Sequence, residues 1–133
     1  MAITQGAHHV GLTVPSIDET RDFFVNTLEF KHVGEVPDYP AYFLSDGTLL
    51  LTLWQASDPA TATPFDRKTN IGLHHFALKV DGLDTLKTLH ETLTKTEGVT
   101  IEFAPEPIGG GPTQHMMFYI PGGIRMELIA PGG

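Results

Sequence analysis

The chain has 133 residues, no cysteine and a net charge of -8. The missing cysteine excludes disulfides, thiolate zinc sites and thiol nucleophiles, and the acidic balance disfavours nucleic acid and anionic membrane surfaces. One domain with a real core is expected at this length; no apolar run approaches the ~20 residues that span a bilayer, and the start Met1-Ala2-Ile3-Thr4-Gln5-Gly6 has neither basic nor apolar signal regions, so the expected address is the cytoplasm.

Residues 9–14 alternate, with His9, Gly11 and Thr13 on one face of a strand and Val10, Leu12 and Val14 on the other. Pro15 closes the strand. Ser16 with Glu19 three positions on fits a capping box, and Ile17, Phe24 and Leu28 share one face of the helix that follows. Residues 30–36 and 40–45 read as short strands. Asp46-Gly47 is a hairpin signal, and Thr48–Trp54 reads as a buried strand.

The plan then repeats. His8-His9-Val10-Gly11-Leu12-Thr13-Val14 returns as His74-His75-Phe76-Ala77-Leu78-Lys79-Val80, with four of seven positions identical. A repeat at this spacing suggests two copies of one supersecondary unit. Asp81 is placed to cap a helix whose Leu86, Leu89 and Leu93 form the core stripe. Strands are expected at Thr100–Phe103, Thr113–Ile120 and Ile124–Ala130, with the turn Pro121-Gly122-Gly123 before the last. The first module covers about 5–55, a polar linker about 56–70 and the second module about 71–131. Gly109-Gly110-Gly111 reads as a flexible loop near the site.

The apolar faces of the two repeated strands must pack on helices. The opposite face carries His9 and His75 beside small or polar residues, which suits a cavity. His8 and His74 point the other way. Glu127, between Met126 and Leu128, needs a partner in its apolar strand, because an unpaired buried charge is expensive. A divalent cation held by His9, His75 and Glu127 supplies one. Two histidines and a carboxylate form a facial triad that suits Fe or Mn.

These residues carry a resemblance. The pattern His-x-x-Leu-x-Val, a helix and three strands, stated twice and ending in Pro-x-Gly-x-x-x-Glu, resembles the vicinal oxygen chelate superfamily over nearly the whole chain. That group includes glyoxalase I, extradiol dioxygenases, fosfomycin-modifying transferases, methylmalonyl-CoA epimerase and bleomycin-binding proteins. The resemblance implies an α+β fold: two tandem βαβββ modules forming curved mixed sheets around a metal cavity. It also implies metal ligands at His9, His75 and Glu127, a small oxygen-chelating substrate and a homodimer.

Glyoxalase I-like members add a fourth ligand, a carboxylate on the strand equivalent to Leu49–Trp54. The repeat places that slot at Leu51, or at Thr52 with a one-residue shift, and neither is a carboxylate. This argues against simple isomerase chemistry, with Ni or Zn as its metal, and against epimerase chemistry. Three-ligand sites resemble those of the extradiol and fosfomycin branches. The fosfomycin branch loses weight because Gly109–Gln114 holds no Lys or Arg for a phosphonate. His115 and Tyr119 share a strand face, and His115–Tyr119 followed by Pro121-Gly122-Gly123 is similar to the end of extradiol enzymes. That likeness implies that Tyr119 binds a substrate oxygen and that His115 moves protons. Trp54, Phe65 and Tyr42 are candidates to line an aromatic pocket, with core packing the favoured reading for each. Arg125 suits either an anionic substrate or an ion pair. The expected function is a metal-dependent enzyme leaning to extradiol dioxygenation; a glyoxalase-type lyase or epimerase, and a non-catalytic antibiotic-binding protein, are the alternatives.

Overall fold

The computed structural model describes residues 1–132, which divide into two compact units, Met1–Ala62 and the chain from Thr63 onward. Each unit is a βαβββ module with one helix on a four-stranded mixed sheet.

The first unit contains β1 (His9–Val14), α1 (Ile17–Thr27), β2 (Lys31–Val36), β3 (Ala41–Ser45) and β4 (Leu50–Gln55). Its sheet order is β1-β4-β3-β2, with β1 parallel to β4 and the other pairs antiparallel. The alternation in β1 sends Leu12 and Val14 into the core. There they join Leu51, Leu53, Leu44 and the α1 residues Ile17, Phe23 and Phe24, all buried. Ser16 caps α1, its hydroxyl accepting from the Glu19 amide at 3.2 Å. The helix ends where the amides of Leu28 and Phe30 both donate to the Phe24 carbonyl, at 3.2 and 3.0 Å. That closure sets Glu29 in the left-handed region, at φ 62°. The Asp46 carboxylate accepts from the amides of Thr48 and Leu49 at 2.8 and 2.7 Å, with Gly47 at φ 97°. Both residues are therefore spent on the turn, and β4 begins at Leu50 rather than at Thr48.

The second unit contains β5 (Phe76–Lys79), α2 (Leu83–Thr94), β6 (Thr100–Pro107), β7 (Gln114–Tyr119) and β8 (Arg125–Ala130). The order β5-β8-β7-β6, with β5 parallel to β8, repeats the first sheet. Leu86 and Leu93 are fully buried, as are Met116, Phe118 and Met126; Leu128 is nearly so. Leu89 is half-buried.

The second unit also departs from the sequence reading in its details. Gly82, not Asp81, is the N-cap of α2, and no side chain caps it; the Asp81 carboxylate instead accepts from the Thr85 hydroxyl at 2.5 Å. The strand at Thr100 runs on to Pro107 because pairing continues past two register shifts, with Glu106 opposite His115 and Pro107 opposite Gln114. Gly109-Gly110-Gly111 forms the tip of this hairpin, closed by an Ile108 amide to Thr113 carbonyl bond of 2.9 Å. Among the described residues, no helix is long and apolar enough to cross a membrane.

Candidate metal and substrate site

Along β8, Met126 and Leu128 project to one side of the sheet, so Arg125 and Glu127 project to the other. His115 and Tyr119 lie on that second side of β7, with His115 opposite Ile129 and Tyr119 opposite Arg125. Apolar residues on the helix side thus oblige the polar ones to gather on the open side.

Glu127 is 8% exposed. One carboxylate oxygen, Oε1, lies 3.0 Å from His75 Nε2, and the other, Oε2, lies 2.6 Å from His115 Nδ1. The sequence-predicted residues His75, Glu127 and His115 therefore meet within the second unit. His75 precedes β5 by one residue and is half-buried. The His115 ring stands edge-on to Phe103, centroids 5.1 Å apart. A hydrogen on His115 Nδ1 would satisfy the contact with Glu127 and leave Nε2 to accept.

His9 opens β1 in the first unit, its Nδ1 lying 3.0 Å from His8 Nδ1. The second unit repeats the pairing, with His74 Nδ1 at 2.7 Å from His75 Nδ1. One hydrogen serves each such contact, so at most one ring of each pair donates there. His74 does not simply turn away as expected from alternation. It also lies 3.5 Å from an Arg125 nitrogen. Desolvation and the neighbouring His75, Arg125 and Arg67 charges lower its pKa.

A second cluster surrounds Glu102. Arg125 Nε and NH2 donate to its two oxygens, each at 2.8 Å. The Tyr119 hydroxyl donates to Glu102 Oε1 at 2.9 Å and accepts from Arg67 at 2.9 Å. Arg67 also donates to Glu102 Oε1, at 2.8 Å. Arg125 is 7% exposed, and these donors hold the Glu102 pKa down to about 2, the Arg125 hydrogen bonds first among them. Arg67 and Tyr119 line a cavity of about 240 Å³ with Phe65, Asp66 and Lys68. Of the aromatic candidates, Phe65 thus faces a cavity. Trp54 packs against Tyr39 and Phe43, and Tyr42 donates to Asp18 at 2.6 Å.

Glu102 and Arg67 were not singled out from the sequence. Glu102 reads as the solvent side of an alternating strand, and Arg67 as part of a polar linker. The usable signal was the surplus of positive charge around Tyr119 once Arg125 is placed on its face.

Strand register also settles the fourth-ligand slot. Gly11 pairs with Thr52, and its repeat partner Ala77 pairs with Glu127, so Thr52 rather than Leu51 matches Glu127. Thr52 is buried, and its hydroxyl accepts from the Trp54 indole at 2.8 Å. No carboxylate occupies that position.

The donors around Glu127 suit a divalent metal. A carboxylate buried in an apolar strand is bonded by imidazoles, and such N and O donors favour Fe(II), Mn(II), Ni(II) or Zn(II). Among the described residues, no three His, Asp or Glu groups converge on one point as a ready-made cage; the Glu127 oxygens are engaged with the rings instead.

Residues 6–128 match the family described as the Glyoxalase/Bleomycin resistance protein/Dioxygenase superfamily. No curated protein matches the chain. Among solved structures, a glyoxylase/bleomycin resistance protein/dioxygenase domain from Frankia sp. EAN1pec is similar, with a TM-score of 0.82 and 24% identity over 98% of this chain and 99% of that one. The fosfomycin resistance protein FosX from Listeria monocytogenes gives 0.75 and 18% over 97% and 95%. A lactoylglutathione lyase from Agrobacterium tumefaciens gives 0.72 and 19% over 96% and 94%. At these identities the likeness is one of fold.

Proposed function

The chain belongs to the Glyoxalase/Bleomycin resistance protein/Dioxygenase superfamily, and we propose that it is a divalent-metal-dependent enzyme acting on a small oxygen-chelating substrate, with extradiol-type dioxygenation as the leading reaction. The observation that carries this reading is the buried Glu127 carboxylate with imidazoles on both oxygens. His75 and Glu127 would hold the metal, with His9 as the third ligand. Support for His9 is its place in the repeat, equivalent to that of His75. Fe or Mn is the favoured ion, with Ni or Zn as alternatives, and a homodimer is the expected assembly.

When bound, the metal supplies charge stabilisation for two adjacent substrate oxygens. The remaining roles belong to the chain. The Tyr119 hydroxyl accepts from Arg67 and gives its one hydrogen to Glu102; turning that hydrogen away from Glu102 lets it donate to a substrate oxygen. His115 accepts a substrate proton on Nε2 while its Nδ1 hydrogen stays on Glu127. Phe65 supplies apolar wall to the cavity beside Tyr119.

Thr52, bonded to Trp54, weighs against glyoxalase-type or epimerase proton transfer, which needs an acid or base in that slot. A second reading, a small-molecule resistance protein that binds without turnover, is favoured by the cationic cavity at Arg67 and Lys68.

The test is elemental analysis of protein purified without oxygen or chelators, beside Glu127→Ala, followed by oxygen consumption with catechols. Stoichiometric Fe or Mn, lost in the variant, with oxygen uptake, is the expected result. Ni or Zn without oxygen uptake would move the assignment to lyase chemistry. No metal after reconstitution would leave the binding protein.

A further inference from the structure

In the second unit one carboxylate serves two guanidinium groups. Glu102 Oε1 accepts from Arg125 Nε, the Tyr119 hydroxyl and Arg67 NH1, at 2.8, 2.9 and 2.8 Å. A carboxylate oxygen presents two lone pairs, so three donors oversubscribe it. Arg125 is the best held of the three, being buried, on an inner strand and bonded to both Glu102 oxygens. Tyr119 also sits on an inner strand. Arg67 comes from a segment outside any helix or strand, reaches Glu102 through a single nitrogen and keeps 27% of its side chain exposed. It is the donor that exchanges most easily.

Arg67 also faces the cavity of about 240 Å³ lined by Phe65, Asp66, Lys68 and Tyr119. Lys68 makes no ion pair among the described residues, as the contacts of this segment go elsewhere. The Asp66 carboxylate is committed to its own turn, accepting from the Lys68 and Thr69 amides at 2.8 and 3.2 Å. Asn70 ties the same segment down through its side-chain bond to the Pro64 carbonyl, 2.7 Å. A fixed backbone thus presents a movable guanidinium, an ammonium in the field of Asp66, a phenol and an aromatic wall. The volume is below that of sites for drug-sized molecules and suits a single-ring ligand.

We propose that this cavity binds a small planar carboxylate, whose oxygens take Arg67 over from Glu102 while Arg125 keeps Glu102 in place. A guanidinium fork matches a carboxylate in two parallel bonds, which favours this ligand over a neutral one of the same shape. This is the cavity assigned above to substrate beside Tyr119, and the proposal deepens that reading while the anion contact itself needs no metal.

The test is a fluorine NMR titration of para-fluorobenzoate with chelator-treated protein. A saturable shift is expected, weakened at least about tenfold in Arg67→Gln. Arg67→Lys keeps the charge without the fork, is expected to fall between the two, and carries the test if Arg67→Gln does not fold by circular dichroism. Neutral para-fluorobenzamide is expected to give no saturable shift. The chelator-treated protein is expected to bind para-fluorobenzoate equally with and without added Zn(II), which separates this site from failure or success of the metal reading. Absence of a saturable shift, equal binding of the amide, unchanged affinity in the folded Arg67 variants, or displacement by inorganic phosphate at equal concentration would overturn the proposal.

Discussion

The two sheets share strand order and register yet carry opposite chemistry at matching positions. Where the second has Glu127, His115, Tyr119 and Arg125, the first has Thr52, Ala41, Ser45 and Leu50. The first thus holds hydroxyl and apolar groups where the second holds charge and imidazole. Duplication supplied the frame twice, and at these four positions only the second copy carries an acid, an imidazole and a cation. The fold tolerates this because the helix-facing residues, Leu12, Val14, Leu51 and Leu53 in one copy and Met116, Phe118, Met126 and Leu128 in the other, remain apolar and buried.

Exchanging matching residues breaks the comparison most directly. Glu127→Thr installs the first sheet's residue in the second. It is expected to lower metal retention by more than about 100-fold, since even partners one shell out change affinity by 10–100-fold. Metal content after gel filtration measures it. Parent-like retention would remove Glu127 from the ligand set.

Arg125→Leu makes the next exchange. It leaves Glu102 with fewer donors and is expected to cost about 2 kcal/mol at pH 7, read by thermal melting; this figure allows for screening of a side chain that is 24% exposed. The sign of the pH dependence follows from a depressed folded-state pKa. Glu102 contributes its full stability above its unperturbed value of 4.5, and that contribution is lost as pH falls toward about 2. The gap between parent and variant should therefore narrow across that window. A gap independent of pH would mean that Arg125 acts by packing alone.

Gly11→Ala tests why the first sheet has glycine where the second has Ala77. An added Cβ would lie 3.0 Å from Thr52 Oγ1 and 3.3 Å from Trp54 Nε1. The Thr52 to Trp54 bond must shift, at an expected cost of about 1 kcal/mol. Denaturant unfolding measures it, and an unchanged midpoint would show that the pair yields freely.

The smallest effect is stabilising. Both helices are followed by a left-handed residue shortly before the next strand, Glu29 in one copy and Gly98 in the other, at φ 62° and 85°. Glu29→Gly is expected to raise stability by about 0.5 kcal/mol, because glycine adopts that region without strain. A lower melting temperature would show that the Glu29 side chain matters more than its backbone.

Much of this frame was legible in the sequence because it depends on local period and local capping. The alternation in 9–14, the Ser16 cap and the Asp46-Gly47 turn need only neighbours in the chain. The repeated histidines and Glu127 stood out because an acid in an apolar strand requires a partner. Glu102 and Arg67 were hidden because they meet across 35 positions, and neither has a local pattern that announces the other. Asp81 misled for a related reason. A carboxylate before a helix reads as a cap, but the Thr85 hydroxyl claimed it first.

The bond between Trp54 and Thr52 has an optical consequence. Trp54 is the chain's single tryptophan, and its indole is anchored inside the first unit. Its emission therefore reports on the first unit, while far-ultraviolet circular dichroism sums both. Coincident midpoints in the two signals would describe one cooperative transition. Separated midpoints would show which copy of the duplicated frame gives way first, and would do so without any label.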